Sequence, residues 1–223
     1  MIKELHTFTF NVFSEQTYVL DHGNGEATVF DPGMSSSDER NAFMEFLESN
    51  GLTLVNCLLT HAHLDHVMGA QWIFNHFNLL PRLHPADIPT WEQAPISAQL
   101  YGIPMDPLPA RGKDLPGTGA TIELGNFTLE IRESPGHCLG HVVFVCHEHE
   151  FVIGGDVLFH GSIGRTDLPG GNPDTLAKSI EEQLYTLPDS FEVHPGHGPY
   201  TTVGKEKASN PYVNDARTGM LQS

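Results

Sequence analysis

Basic residues are scarce in this 223-residue chain: lysine and arginine number 11 against 28 aspartates and glutamates, a formal charge of −17. So acidic a balance excludes a nucleic-acid binder, which must neutralise phosphates with positive charge. It also excludes docking on an anionic membrane face. Cysteine is sparse too. Cys57, Cys138 and Cys146 form neither a CxxC pair nor the even set of a disulfide framework, and their apolar neighbours predict buried, reduced thiols. Long hydrophobic runs are missing, since stretches such as Val142 to Cys146 fall far short of a bilayer span. The first residues, MIKELHTFTFNVF, place charges early and then alternate like a strand, unlike a secretory leader. These absences predict a cytoplasmic chain with neither nucleic acid nor membrane as a partner, and they leave the oligomeric state open.

Histidine is abundant instead, with 14 copies, more than lysine and arginine together. The length suits one layered domain over 1–223, with a loosely ordered tail expected from about 212. Alternating apolar and polar side chains mark strands over 5–20 and 26–30. Serines 35–37 offer caps for a helix over about 38–49 that Gly51 stops. The apolar run Leu54 to Leu59 reads as a buried strand, and a second helix is predicted from about His66 to Phe77. The proline-rich stretch 84–120 reads as loop with one short helix. Strands return near 121–124, 127–133, 141–146 and 150–154. Asn172 and Pro173 open a helix reaching about Leu187, and a strand near 191–193 precedes a short helix around 204–209. Strand meanders separated by helices predict an α/β (α+β) fold, a four-layer αββα sandwich of two mixed sheets with helices on the outer faces.

The strongest chemical signal is Thr60-His61-Ala62-His63-Leu64-Asp65-His66, set between a buried strand and a helix. His61 and His63 alternate in an extended turn and point to one side, whereas Asp65 and His66, opening a helix, can turn toward a second centre. Imidazole and carboxylate suit zinc, iron or manganese and need no thiolate. Three further polar residues close strands inside Gly/Pro turns, where a scaffold displays ligands on a common rim: His137 in SPGH, Asp156 after FVIGG, and His197 in PGHG. His141, beside the His137 loop, reads as a supporting or core histidine, and His147 and His149 as an exposed hairpin turn.

In their order, THAHLDH, SPGH, GGD and PGHG, with Asp31 of an early Asp-Pro-Gly turn, resemble the metallo-β-lactamase superfamily over about residues 5–200. Within it, GSIGRTDLPGG (161–171) and GPYTTVGKEKASNPYV (198–213) look like the short, glyoxalase II-like hydrolases. The resemblance implies that His61, His63 and His137 hold one metal and Asp65, His66 and His197 a second. Asp156 would bridge both, Asp31 would fix the histidine loop from behind, and Asp65 and Asp156 would be the catalytic carboxylates. It implies one or two Zn2+ per chain, with Fe or Mn as alternatives. It also implies cleavage of a small-molecule thioester such as S-lactoylglutathione or another hydroxyacylglutathione by hydroxide generated at the metals. A thiol of pKa near 8.5 leaves as thiolate without a general acid, which favours a thioester over an amide.

Departures from the pattern matter as well. β-Lactamases carry a cysteine where Asp156 falls, and the nuclease branches add a further domain. Two-domain glyoxalase II adds a C-terminal helical domain with basic residues for glutathione, yet only about 25 residues follow His197. Phe144 stands where glyoxalase II has a glutathione-contacting tyrosine. Arg165, in the GRTD run, matches the position of a cation that meets the glutathione portion, and pairing with Asp167 is its other expectation. Tyr200, Lys205 and Asn210 are candidates for the facing wall. Persulfide dioxygenases resemble the pattern too, with one iron on His61, His137 and Asp156.

Overall fold

Alternating side chains carry Leu5–Phe10 (β1) out and Glu15–Asp21 (β2) back as an antiparallel pair. The reversal lies at Asn11 and Ser14, both in left-handed backbone, so the alternating stretch 5–20 is a hairpin. Glu26–Phe30 (β3) pairs antiparallel with β2, and Thr53–Leu58 (β4) runs parallel to β3, giving a mixed sheet in the order β1-β2-β3-β4. The computed structural model describes residues 4–214. The connection between β3 and β4 is the helix Ser37–Asn50 (α1). The Ser36 hydroxyl accepts from the Glu39 N–H, the Glu39 carboxylate reaches back to the cap, and Gly51 closes the far end at φ 64°.

After β4 the expected single helix is two, Leu64–Val67 (α2) and Ala70–Phe77 (α3). The break has a local cause: the Gly69 N–H donates to the Pro32 carbonyl at 2.8 Å, and a side chain at Gly69 would collide with Met34. The proline-rich stretch holds a full 14-residue helix, Ile88–Tyr101 (α4), rather than a short one. Pro89 sits in its first turn, where the missing N–H costs nothing, and Pro95 faces solvent.

The second sheet is Thr121–Leu124 (β5), Phe127–Glu133 (β6), Val142–Cys146 (β7), Phe151–Gly155 (β8), Glu192–Pro195 (β11) and Thr201–Thr202 (β12), ordered β12-β11-β8-β7-β6-β5. It too is mixed, with β11 parallel to β8. Between β8 and β11 come a small ribbon, Leu158–Phe159 (β9) and Ser162–Ile163 (β10), and the helix Pro173–Ser179 (α5). The chain past α5 widens into a π-type turn over Ile180–Leu184, so the helix stops short of Leu187. Val203–Ser209 (α6) follows β12.

Three apolar clusters set the layers. Tyr18, Leu20, Phe30 and Leu58 meet Leu129, Ile131, Phe144, Phe151 and Ile153 between the sheets. Val19, Val29 and Cys57 on the opposite face of the first sheet take Phe43, Leu47, Trp72 and Ile73 of α1 and α3. Val143, Val145, Val152 and Val193 on the other face of the second sheet take Leu176, Ile180 and Leu184. Each fully buried side chain of this kind contributes about 1.5–3 kcal/mol, so a helix on each outer face is the arrangement that leaves no apolar face wet. All three cysteines are buried and free. Val213 is buried in the third of these clusters and its carbonyl accepts from the Tyr185 hydroxyl, so the chain is still packed where the loose tail was expected to begin. The rest of that expected tail, 215–223, lies outside the described residues. Among the described residues no helix is long and apolar enough to cross a membrane.

Candidate metal centre

The ends of β3, β4, β6, β8 and β11 share one rim, and each delivers a polar side chain to it. Asp31 leaves β3 in a left-handed conformation, φ 50°. Its carboxylate accepts from the Thr60 N–H (2.7 Å), the Thr60 hydroxyl (2.6 Å) and His66 Nδ1 (3.2 Å). It therefore fastens the start and the end of the histidine loop from behind. Asp156 ends β8 beside Gly196, where any Cβ would strike its carboxylate.

Two groups of side chains converge in front of this support. His61, His63 and His137 offer atoms within 4.8 Å of one another, as do Asp65, His66 and His197. Asp156 lies between them, 3.5 Å from both His66 Nε2 and His137 Nε2 and 3.6 Å from His197 Nε2. The opposite ring nitrogens are held from behind. His61 Nδ1 meets the Thr60 hydroxyl at 3.1 Å, His137 Nδ1 the Arg165 carbonyl at 2.8 Å, and His197 Nδ1 the Phe13 carbonyl at 3.2 Å. A carbonyl only accepts, so Nδ1 of His137 and His197 carries the proton; Nε2 of His137 then turns its lone pair to the centre, and Nε2 of His197 meets the Asp65 carboxylate at 3.0 Å. The His61 and His66 Nε2 atoms and Asp156 Oδ1 are buried without any hydrogen-bond partner. His63 Nδ1 and His137 Nε2 approach to 2.7 Å, two ring nitrogens aimed at one point. Buried lone pairs of this kind are costly unless a cation takes them, and rings oriented by partners on their far nitrogens are how metal sites are built. The donor set of imidazole and carboxylate fits one or two divalent cations.

Electrostatics point the same way. Burial, then the neighbouring histidines, hold His61 well below its ordinary pKa, and burial with His137 pulls His63 down to about 3, so both rings are neutral ligands. Burial would lower His66 as well, but the Asp65 and Asp156 carboxylates outweigh it and hold His66 well above its usual value. Burial would raise Asp156, yet His66 and His137 keep it below the ordinary carboxylate range. Without a cation the carboxylates gather protons onto His66, the charge a metal would replace.

The cluster forms the floor of a cavity of about 550 Å3, walled by the β1–β2 turn (Phe13), α4 (Thr90, Gln93, Ser97, Tyr101), Leu139 and the 159–170 segment. Arg165 lines it, but its Nε and Nη2 both donate to Asp167, at 2.7 and 2.8 Å. Phe144 is elsewhere, in the inter-sheet core against Phe30, where no substrate reaches. Tyr200, Lys205 and Asn210 do not line the cavity; Asn210 is buried and donates to the Ser162 carbonyl and Glu206, and Lys205 meets His160.

Two supporting residues, Glu15 and Asp87, carry no sequence motif, whereas a third, His141, stands where the sequence predicts a supporting histidine. Glu15, fully buried at the start of β2, accepts from the Thr17 hydroxyl at 2.8 Å and lies 3.8 Å from His66 Nδ1, with burial pushing its carboxyl well above the ordinary range. Asp87, also fully buried, accepts from the Ala62 N–H (2.6 Å) between His61 and His63 and from the Thr90 hydroxyl (2.7 Å) in the first turn of α4. The Gly140 N–H and the Cys138 thiol of the His137 loop turn to the same carboxyl. His141 stacks on His61 at 4.7 Å, and its Nε2 accepts from the Asp156 N–H at 3.0 Å.

Paired β-sheets faced by helices, with a His/Asp cluster at the strand ends, define a class of metal-dependent hydrolases. The profile of the metallo-β-lactamase superfamily matches residues 11–197, and the chain belongs to that superfamily. It is 39% identical over 203 residues to the hydroxyacylglutathione hydrolase GloC of Haemophilus influenzae, covering 91% of this chain and 94% of that one. Among solved structures, TTHA1623 in a di-iron-bound form superposes with a TM-score of 0.83 at 36% identity, covering 93% of this chain and 100% of that one. The BLEG-1 B3 metallo-β-lactamase gives 0.84 at 32%, covering 94% and 99%.

Proposed function

We propose that this metal-dependent hydrolase cleaves thioesters, with a hydroxyacylglutathione such as S-lactoylglutathione the first to test. The observation that carries the reading is that His61 Nε2, His66 Nε2 and Asp156 Oδ1 are buried without hydrogen-bond partners at and just beneath a cavity floor. His61, His63 and His137 on one side, Asp65, His66 and His197 on the other and Asp156 between would hold one or two divalent cations, Zn2+ foremost and Fe or Mn otherwise, supplying Lewis acidity and a lowered water pKa.

The chain's own residues do the rest. Asp65 and Asp156 accept hydrogen bonds from an incoming water and turn its lone pair toward the carbonyl held above them. The walls keep bulk water from the reacting bond. Hydrolysis adds the water oxygen to the carbonyl carbon, breaks the C–S bond, and releases a carboxylic acid and a thiol. Asp65 and Asp156 are the carboxylates among the described residues lining the cavity, and both titrate below the ordinary range. Neither can donate a proton near neutral pH, which suits a thiolate leaving group and not an amine. The GloC relative, a hydroxyacylglutathione hydrolase by name, supports the same choice.

The test is elemental analysis of the purified protein beside a thiol-release assay with S-lactoylglutathione, an oxygen electrode with glutathione persulfide and a β-lactam control. Bound metal with thiol release and no oxygen uptake is expected, and His61→Ala should lower the rate by orders of magnitude. One iron per chain with oxygen uptake and no thioester cleavage would replace this reading with a dioxygenase acting through His61, His137 and Asp156.

A further inference from the structure

The cavity above the ligand cluster has a polar floor and apolar walls. On one side Phe13 and Tyr101 meet edge to face at 6.3 Å. Leu139, Phe159, Ile163 and Leu168 make up much of the other. Phe13, Tyr101 and Leu139 are 37%, 54% and 56% exposed, apolar surface left uncovered around the opening of an otherwise acidic protein. Such surface at the mouth of a concave site marks where an apolar partner binds.

The polar groups on the walls are few. Thr90, Gln93 and Ser97 on α4 are neutral. Arg165 is the single lysine or arginine among the described residues of the lining, and Asp167 already occupies two of its donors. A carrier rich in carboxylates finds no unengaged cation on these walls. A three-carbon hydroxyacyl group such as lactoyl, for its part, offers a single methyl to the apolar side chains of a cavity of about 550 Å3.

We propose that the substrates of this site are thioesters with an apolar acyl chain. The chain lies between the Phe13–Tyr101 wall and the Leu139–Leu168 wall while the thioester carbonyl rests on the floor. The inference rests on the thioester-hydrolase reading and narrows it: the acyl chain supplies the selectivity, and the thiol carrier supplies little. Buried methylenes drive such selection, because each leaves water for apolar surface on binding.

The experiment holds the thiol constant. The metal-loaded enzyme is assayed with the lactoyl, acetyl, butanoyl, hexanoyl and octanoyl thioesters of glutathione. A fully buried methylene is worth about fourfold and a half-buried one about twofold, so kcat/KM should climb steadily from acetyl to hexanoyl, and butanoyl should exceed lactoyl. Tyr101→Ser should flatten that climb. In parallel, calorimetry compares two uncleavable thioethers, S-methylglutathione and S-hexylglutathione. The hexyl compound should bind at least tenfold more tightly and with the more negative heat-capacity change that marks apolar burial. A series in which lactoyl is fastest and longer chains are slower, or equal binding of the two thioethers, overturns the inference while leaving thioester hydrolysis intact. Absence of cleavage across the whole series overturns the parent reading and this one with it, whatever the thioethers do.

Discussion

At the scale of single residues, Asp31 shows how much one side chain holds. It adopts a left-handed backbone, φ 50°, which asparagine tolerates at least as well as aspartate. Asp31→Asn therefore keeps the turn and changes only the chemistry. One of two oxygens that accept from Thr60 and His66 becomes a donor facing donors. Metal affinity should fall about 10- to 100-fold, the usual effect of losing a partner behind a ligand. Chelator competition with Zn2+ reads it, and an unchanged affinity would remove Asp31 from that role. Glu15 gives a prediction of the opposite kind. Its folded pKa lies above the unfolded value because burial disfavours the anion. The native state then holds a proton the unfolded chain gives up, so its contribution is complete below about pH 4.5 and lost as pH rises toward the folded pKa. In the chelator-stripped protein Glu15→Gln, which has no proton to lose, should raise the melting temperature at pH 7 and not at pH 4. Loss of stability at pH 7 would mean that the Glu15 anion is what His66 needs. Asp31, His137, Asp156 and His197 could be read from sequence because each closes a strand inside a Gly/Pro turn, and His61, His63, Asp65 and His66 because four ligand side chains crowd into six residues, both local patterns. Glu15 sits inside β2 and acquires its meaning only from His66, 51 positions away in the chain.

At the scale of elements, α4 decides the shape of the cavity, and the sequence disguised it. Its prolines read as breakers, but Pro89 falls in the first turn, where a helix accepts it, and Pro95, inside the helix on its wet face, forfeits one i→i−4 hydrogen bond without ending it. The apolar face of α4, Trp91 and Ala94, packs on Leu59, Ala62 and Val67, which puts the next face over the ligand cluster. Asp87, at the helix entrance, then joins three elements in one carboxyl group: the His61–His63 loop through Ala62, the His137 loop through Gly140 and Cys138, and α4 through Thr90. Asp87→Ala leaves the buried Ala62 N–H unpaired, at about 1–3 kcal/mol, and frees the half-buried Thr90 hydroxyl to the cavity. A melting point lowered by roughly 2–12 °C is expected for a chain of this size. The Co2+-loaded variant should also change its visible absorption, since the loops carrying His61, His63 and His137 lose a shared anchor. A simple loss of packing would lower the melting point and leave that spectrum untouched.

At the scale of the whole molecule, the layers were legible because alternation and helix spacing report which faces are apolar, and apolar faces have few ways to be buried together. The charge was equally plain in composition, and its consequence is kinetic. A net charge of −17 surrounds a cavity whose wall cation is already paired with Asp167. Long-range repulsion of an anionic substrate reaches about 30 Å at 0.01 M salt and only about 8 Å at 0.15 M. For a glutathione thioester, which carries net negative charge, kcat/KM should therefore rise several-fold across that range. For the same acyl group on an uncharged thiol such as N-acetylcysteamine it should stay flat. The comparison isolates the field, because both substrates present the same acyl chain to the same walls. A fall with salt for the glutathione thioester would mean that the local field of the site, Arg165 freed from Asp167 included, overrides the acidic surface. That outcome would return the carrier, and not the acyl chain alone, to the list of what the enzyme selects.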